Sequence, residues 1–164
     1  MKLIINLNRA SAIVLALLLL VAGCVQPGTA SFQADSATLA RWQNTFDGLR
    51  DMTPTWGKQG VTEFKTSLDF DVPMVMLDVR TEQEWQAGII KNALLININE
   101  LPKPANLARL PEDRDAVIGV YCSGGYRSTL ALALLHQLGY KNVISMEGGM
   151  DSWLRAGYPV TSKP

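Results

Sequence analysis

From Val61 to the C-terminus, short apolar runs alternate with segments that carry helix signals. "PMVMLDV" (73–79), "ALLINI" (93–98), "AVIGVYC" (116–122) and "NVISME" (142–147) have the length and β-branched character of buried strands. Between them, "TEFKTSL" (62–68) reads as helical, and "TEQEWQAG" (81–88) places Thr81 and Glu84 in capping-box spacing, with Gly88 as its stop. "NELPKPANLARL" (99–110) reads as a helix or helical turns. "STLALALLHQLGY" (128–140) reads as a strong helix with Ser128 or Thr129 as cap and Gly139 at its end, and "GMDSWLRAG" (149–157) closes the series. Continuous apolar strands interleaved with helices require a sheet covered on both sides. The chain therefore contains an α/β domain with a parallel sheet. No internal repeat or low-complexity tract interrupts it.

The third strand ends in Cys122 and runs straight into "SGGYRS" (123–128). Ligands of open α/β sheets collect at the carboxyl ends of strands. A tight loop entering a helix also turns several backbone N–H groups toward one point. Gly124 and Gly125 accept the positive φ angles that such a curl needs, and Arg127 adds a permanent cation. All three effects favour a negative species at the loop centre. An isolated cysteine at a strand end is ordinarily a small buried hydrophobe. Cys-x-x-Gly-x-Arg-Ser at a strand-to-helix junction points instead to a nucleophile. His136, the single histidine, lies two turns into the next helix and makes a poor partner for it. No cysteine or histidine cluster suits a metal, and no cofactor is expected.

Three ordered motifs, "LDVRTEQEWQAGII" (77–90), "CSGGYRS" (122–128) and "EGGMDSWLRAGYPV" (147–160), resemble those of single-domain rhodaneses, the thiosulfate or persulfide sulfurtransferase family. The resemblance implies a five-stranded parallel sheet with helices on both faces. It implies that Cys122 accepts a sulfane sulfur as a persulfide and that Arg127 closes the loop around it. Ser123, Gly124, Gly125, Tyr126 and Ser128 are then the loop residues that surround the sulfur. Asp78 and Arg80 match a pair that braces the sheet and neighbouring loop, and Gly148, Gly149 and Trp153 match structural positions. The chain departs from the family in "GIIKNA" (88–93), where Ile89 stands in place of a histidine. Cysteine-dependent phosphatases resemble the same loop but use Cys-x5-Arg and a general acid. The Cys-x4-Arg spacing here suits a single added sulfur, and Asp78 is a weak candidate acid. The expected reaction moves sulfur from thiosulfate or a small persulfide to a thiol, sulfite or cyanide acceptor, a protein acceptor included. A non-catalytic module that binds a partner or senses sulfur or redox state is the competing reading.

The N-terminus is organised differently. Lys2 and Arg9 precede an unbroken apolar run from Ile13 to Ala22, the pattern of an export signal rather than a membrane span. "LVAGC" (20–24) resembles the bacterial lipoprotein box, which implies cleavage after Gly23 and lipidation of Cys24. An ordinary signal peptide with an incidental Cys24 is the alternative. Residues 1–23 are thus read as a signal peptide, 24–60 as a lipidated tether with an accessory helix, and 61–164 as the rhodanese-like domain, held at a membrane of the cell envelope. Removing residues 1–23 leaves 13 Lys+Arg against 15 Asp+Glu, which argues against nucleic acid as a partner. With Cys24 lipidated, Cys122 is the remaining thiol, so no internal disulfide can form. In the accessory segment, Ser36 is placed to cap a helix whose Leu39, Trp42, Phe46 and Leu49 recur at spacings of three and four. That stripe is expected to pack on the main domain, with docking onto a partner as the alternative.

Overall fold

The computed structural model describes residues 35–52 and 57–164. The expected signal sequence, Cys24 and the tether lie outside the described residues. In chain order the elements are α1 (Ser36–Met52), β1 (Lys58–Gln59), α2 (Val61–Asp69), β2 (Val75–Asp78), α3 (Glu82–Gln86), β3 (Leu94–Leu95), α4 (Pro104–Leu107), β4 (Val117–Tyr121), α5 (Tyr126–Gln137), β5 (Asn142–Met146) and α6 (Gly149–Arg155).

The five strands form one parallel sheet in the order β1-β5-β4-β2-β3. Successive side chains of a strand point to opposite faces, and here both faces are buried. Leu77, Val79, Ile118, Val120 and Val143 pack beneath α5 through Ala131, Leu132 and Leu135. Met76, Tyr121 and Met146 pack on the other side with Phe64 of α2 and Met150 and Trp153 of α6. Each such aliphatic side chain taken from water contributes about 1.5–3 kcal/mol, so the two clusters dominate the stability of the fold.

The strand order reverses beside β2. The chain leaves β2 for β3 on one side, then returns to β4 on the other. This is the topological switch point of the sheet, where the loops after neighbouring strands diverge and leave a crevice. The loop after β2 leads to α3, and the loop after β4 leads to α5.

Two local expectations are corrected. The N-cap of helix α5 is Gly125, in the left-handed region at φ 99°, rather than Ser128 or Thr129, and the helix begins at Tyr126. Ser128 and Thr129 lie in the first turn, and both hydroxyls donate to the Gly125 carbonyl at 2.9 Å. The cap therefore comes three or four residues earlier than the polar composition suggests.

The second correction concerns α1. Of its predicted stripe only Leu49 is buried, whereas Leu39, Trp42 and Phe46 stay 57%, 45% and 51% exposed. Gly48 permits this seating, since a Cβ there would overlap the His136 imidazole as placed. The bare backbone lets α1 settle on α5 through Thr45, Gly48 and Leu49, which turns the larger apolar side chains outward. The buried Thr45 hydroxyl is satisfied by donating to the Arg41 carbonyl at 2.9 Å.

Candidate active site

Cys122 follows the last residue of β4 and is 1% exposed. The Gly125 N–H donates to its Sγ at 3.1 Å, and Sγ lies 3.7 Å from the Ser128 hydroxyl. Behind them, the buried Ser145 hydroxyl of β5 donates to Ser128 Oγ at 2.8 Å. The positive φ of Gly125 is what curls the chain far enough to return an amide to the sulfur three residues earlier. Gly124 and Tyr126 are exposed at the rim, and Tyr126 points its ring outward at 87% exposure.

The loop is held from below by α6. The Met150 N–H donates to the Cys122 carbonyl at 2.7 Å and the Asp151 N–H to the Ser123 carbonyl at 3.0 Å. This approach requires Gly149, at φ 53°, because a Cβ there would collide with both carbonyls. Glycine is thus demanded twice over, by conformation and by space.

The residue that motif reading left out is Glu84. It was legible as the third position of the α3 capping box, and it does fill that role. Its carboxylate accepts from the Thr81 N–H and hydroxyl, each at 2.8 Å, and Thr81 caps the helix in return. The same carboxylate reaches across the switch-point crevice to Arg127, accepting from Nη1 at 2.8 Å and Nη2 at 2.6 Å. Ser123 donates its hydroxyl to Glu84 and accepts from Arg127 Nη2 at 2.9 Å. The Arg127 fork holds the Glu84 carboxyl far below the ordinary carboxylate range. Glu84 in turn raises the Arg127 guanidinium, and the Cys122 sulfur adds to that.

Asp78 and Arg80 form a buried ion pair one step further back, with Nη2 to Oδ2 at 2.7 Å. Arg80 also donates to the carbonyls of Glu84 at 3.2 Å and Gly88 at 2.7 Å, tying off the end of α3. A continuous chain of hydrogen bonds therefore runs from β2 through Arg80 to α3, then through Glu84 to the Cys122 loop. Tyr121 lies beside this pair. Burial and the Asp78 charge push its phenol upward, so it stays neutral and accepts from the Ile90 N–H at 3.1 Å. Ile89, at the departure from the family pattern, is buried and pairs both ways with the Thr161 backbone.

Gly125 and Ser128 thus meet the Cys122 sulfur, Ser123 and Arg127 meet at Glu84, Gly124 and Tyr126 lie at the rim, and Asp78 and Arg80 stand behind α3. A groove of about 610 Å³ opens beside the loop, lined by Gly125, Tyr126, Leu130, Met146 and Glu147 among others.

The profile of the rhodanese-like domain matches residues 61–156, more than half of the chain. The chain belongs to the rhodanese-like family. A sulfurtransferase of Allochromatium vinosum is 37% identical over 89 residues, covering 54% of this chain and 79% of that protein. A tRNA uridine(34) hydroxylase of Erwinia tasmaniensis is 35% identical over 109 residues, but this rhodanese-like chain spans only 30% of its length. Among solved structures, a rhodanese-related protein from Thermoplasma volcanium superposes with a TM-score of 0.56 at 31% identity, covering 65% of this chain and 98% of that one. A rhodanese-like domain protein from Staphylococcus aureus gives 0.55 at 30%, covering 64% and 98%. At the level of the family, these relatives support sulfur transfer.

Proposed function

We propose that the protein carries a sulfane sulfur on Cys122 as a persulfide and hands it to an external thiophilic acceptor. The observation that carries this reading is the Gly125 amide aimed at Sγ from 3.1 Å, in a loop whose cation is pinned by Glu84. In the first half-reaction the Cys122 thiolate attacks the outer sulfur of the donor. A sulfur–sulfur bond forms at Cys122, the donor's own bond breaks, and sulfite or a thiolate leaves with its electron pair. The loop amide and Arg127 stabilise the negative charge on the terminal sulfur, a preorganised electrostatic contribution. In the second half-reaction an acceptor thiolate, sulfite or cyanide takes that sulfur and regenerates the Cys122 thiolate. The mature sequence contains no second free thiol to resolve the persulfide once Cys24 is lipidated, so the acceptor comes from outside.

The donor class follows from charge. Arg127 already faces the carboxylate of Glu84, which leaves the loop little net attraction for a dianion such as thiosulfate. A persulfide of lower charge, its body lying against Tyr126 and Leu130 in the adjoining groove, suits the site better. Incubation with a glutathione or alkyl persulfide should add the mass of one sulfur to the wild type and not to Cys122→Ser. A wild type that gains no such mass with any donor would remove the catalytic reading and leave a binding module.

Lipidation of Cys24 at an envelope membrane completes the proposal. Cys24→Ser should move the protein from the membrane to the soluble fraction of fractionated cells.

A further inference from the structure

We propose that α1 is a membrane-contacting helix, which lays Leu39, Trp42 and Phe46 into the surface of the bilayer that holds the anchor. This rests on the reading of Cys24 as the lipidated residue. The three side chains form a stripe at spacings of three and four on the outward side of α1, and each is roughly half exposed. Trp42 and Phe46 stack with ring centroids 5.8 Å apart, which makes them one continuous aromatic surface. Their solvent exposure is not a failure of packing. The helix is held independently through Thr45, Gly48 and Leu49 on α5, so its apolar stripe is fixed in place without being used by the core.

Position in the chain identifies what covers the stripe. Ten residues, Val25 to Ala34, separate Cys24 from Asp35, a reach of roughly 40 Å even when fully extended. α1 is thus the first described helix after the anchor and stays within that reach of lipid. A patch of three side chains would bind a vesicle weakly on its own. Tethering converts that contact into an intramolecular one at an effective concentration on the order of millimolar, so a weak contact becomes an occupied one. Tryptophan and phenylalanine are suited to the headgroup boundary. α1 carries Arg41 and Arg50 against Asp47 and Asp51, so it has no basic face, and the contact is apolar rather than electrostatic.

The test uses the mature chain beginning at Cys24, with Cys122→Ser so that Cys24 is the single thiol, coupled to a maleimide lipid in phosphatidylcholine vesicles. Brominated phosphatidylcholine should quench its tryptophan emission, and Trp42→Phe should remove that quenched component. Leu39→Ser with Phe46→Ser should lower the quenching severalfold, and replacing a third of the lipid by phosphatidylglycerol should change it little. Quenching that survives Trp42→Phe, emission open to aqueous iodide and untouched by bromolipid, or a steep dependence on phosphatidylglycerol would each overturn the proposal. The second outcome would mark the face as a protein-docking surface instead. Because the anchor is supplied chemically, this result is separate from lipidation in the cell, which the fractionation of Cys24→Ser reads.

Discussion

Glu84 and Arg127, 43 residues apart, meet in a two-pronged ion pair across the mouth of the sulfur loop, with Nη1 to Oε2 at 2.8 Å and Nη2 to Oε1 at 2.6 Å. The carboxylate that starts α3 is therefore also the group that aims the loop cation. Two parallel charge-assisted bonds fix the plane of a guanidinium as well as its distance. Arg127 cannot swing toward a donor without giving up that geometry.

Glu84→Gln keeps a side chain that can still cap α3 but removes the charge facing Arg127. Turnover of sulfane sulfur should fall about tenfold to a hundredfold, because a misaimed cation stabilises the terminal sulfur poorly. The KM for thiosulfate should fall at the same time, since Arg127 is then uncompensated. Steady-state kinetics with thiosulfate and cyanide separate the two effects. A purely structural Glu84 would change thermal stability and leave both constants in place.

The same pair sets a pH dependence. Its folded-state carboxyl sits well below the ordinary value of 4.5, chiefly through the Arg127 fork. Stability from this source is fully present above pH 4.5 and drains away as pH falls from there toward the lowered value. Thermal unfolding between neutral pH and pH 3 should show a decline below about pH 4.5 that is shallower in Glu84→Gln. Parallel curves for the two proteins would contradict it.

Gly149→Ala places a methyl group against the Cys122 and Ser123 carbonyls and asks alanine to adopt φ 53°. A cost of about 1–3 kcal/mol in chemical denaturation is expected. Persulfide loading should slow as well, because the displaced carbonyls belong to Cys122 and its neighbour.

Asp78→Ala leaves Arg80 charged in a site where it is 4% exposed. Removing one partner of such a pair costs about 3–5 kcal/mol, so urea unfolding should shift by that amount. Asp78→Ala combined with Arg80→Met should recover part of the loss, since no uncompensated charge remains.

Much of this fold is legible from local pattern. The cores of β2, β4 and β5 and the capping box of α3 are where the apolar runs and the Thr81–Glu84 spacing put them. β3 is a shorter ladder than "ALLINI" suggests, with Ile96 and Ile98 continuing to donate to the Asp78 and Val79 carbonyls past its end. The start of α5 was misplaced because Ser128 and Thr129 look like caps. In fact their hydroxyls turn back to the Gly125 carbonyl inside the first turn. The Cys122 loop itself is readable because its glycines, cation and cysteine are contiguous.

What the sequence determined alone is the class of the domain and the place of Cys122 at a strand-to-helix junction, since periodicity, capping and a seven-residue motif are properties of neighbours along the chain. Only the tertiary structure decided that Glu84 serves the loop, that β1 closes the sheet against β5, and that α1 turns Leu39, Trp42 and Phe46 outward. Each of those depends on how close two distant segments can come, and that distance is set by a strand crossover or by one missing Cβ at Gly48. A hydrophobic stripe states that a helix has an apolar side. It does not state which side the rest of the molecule will take.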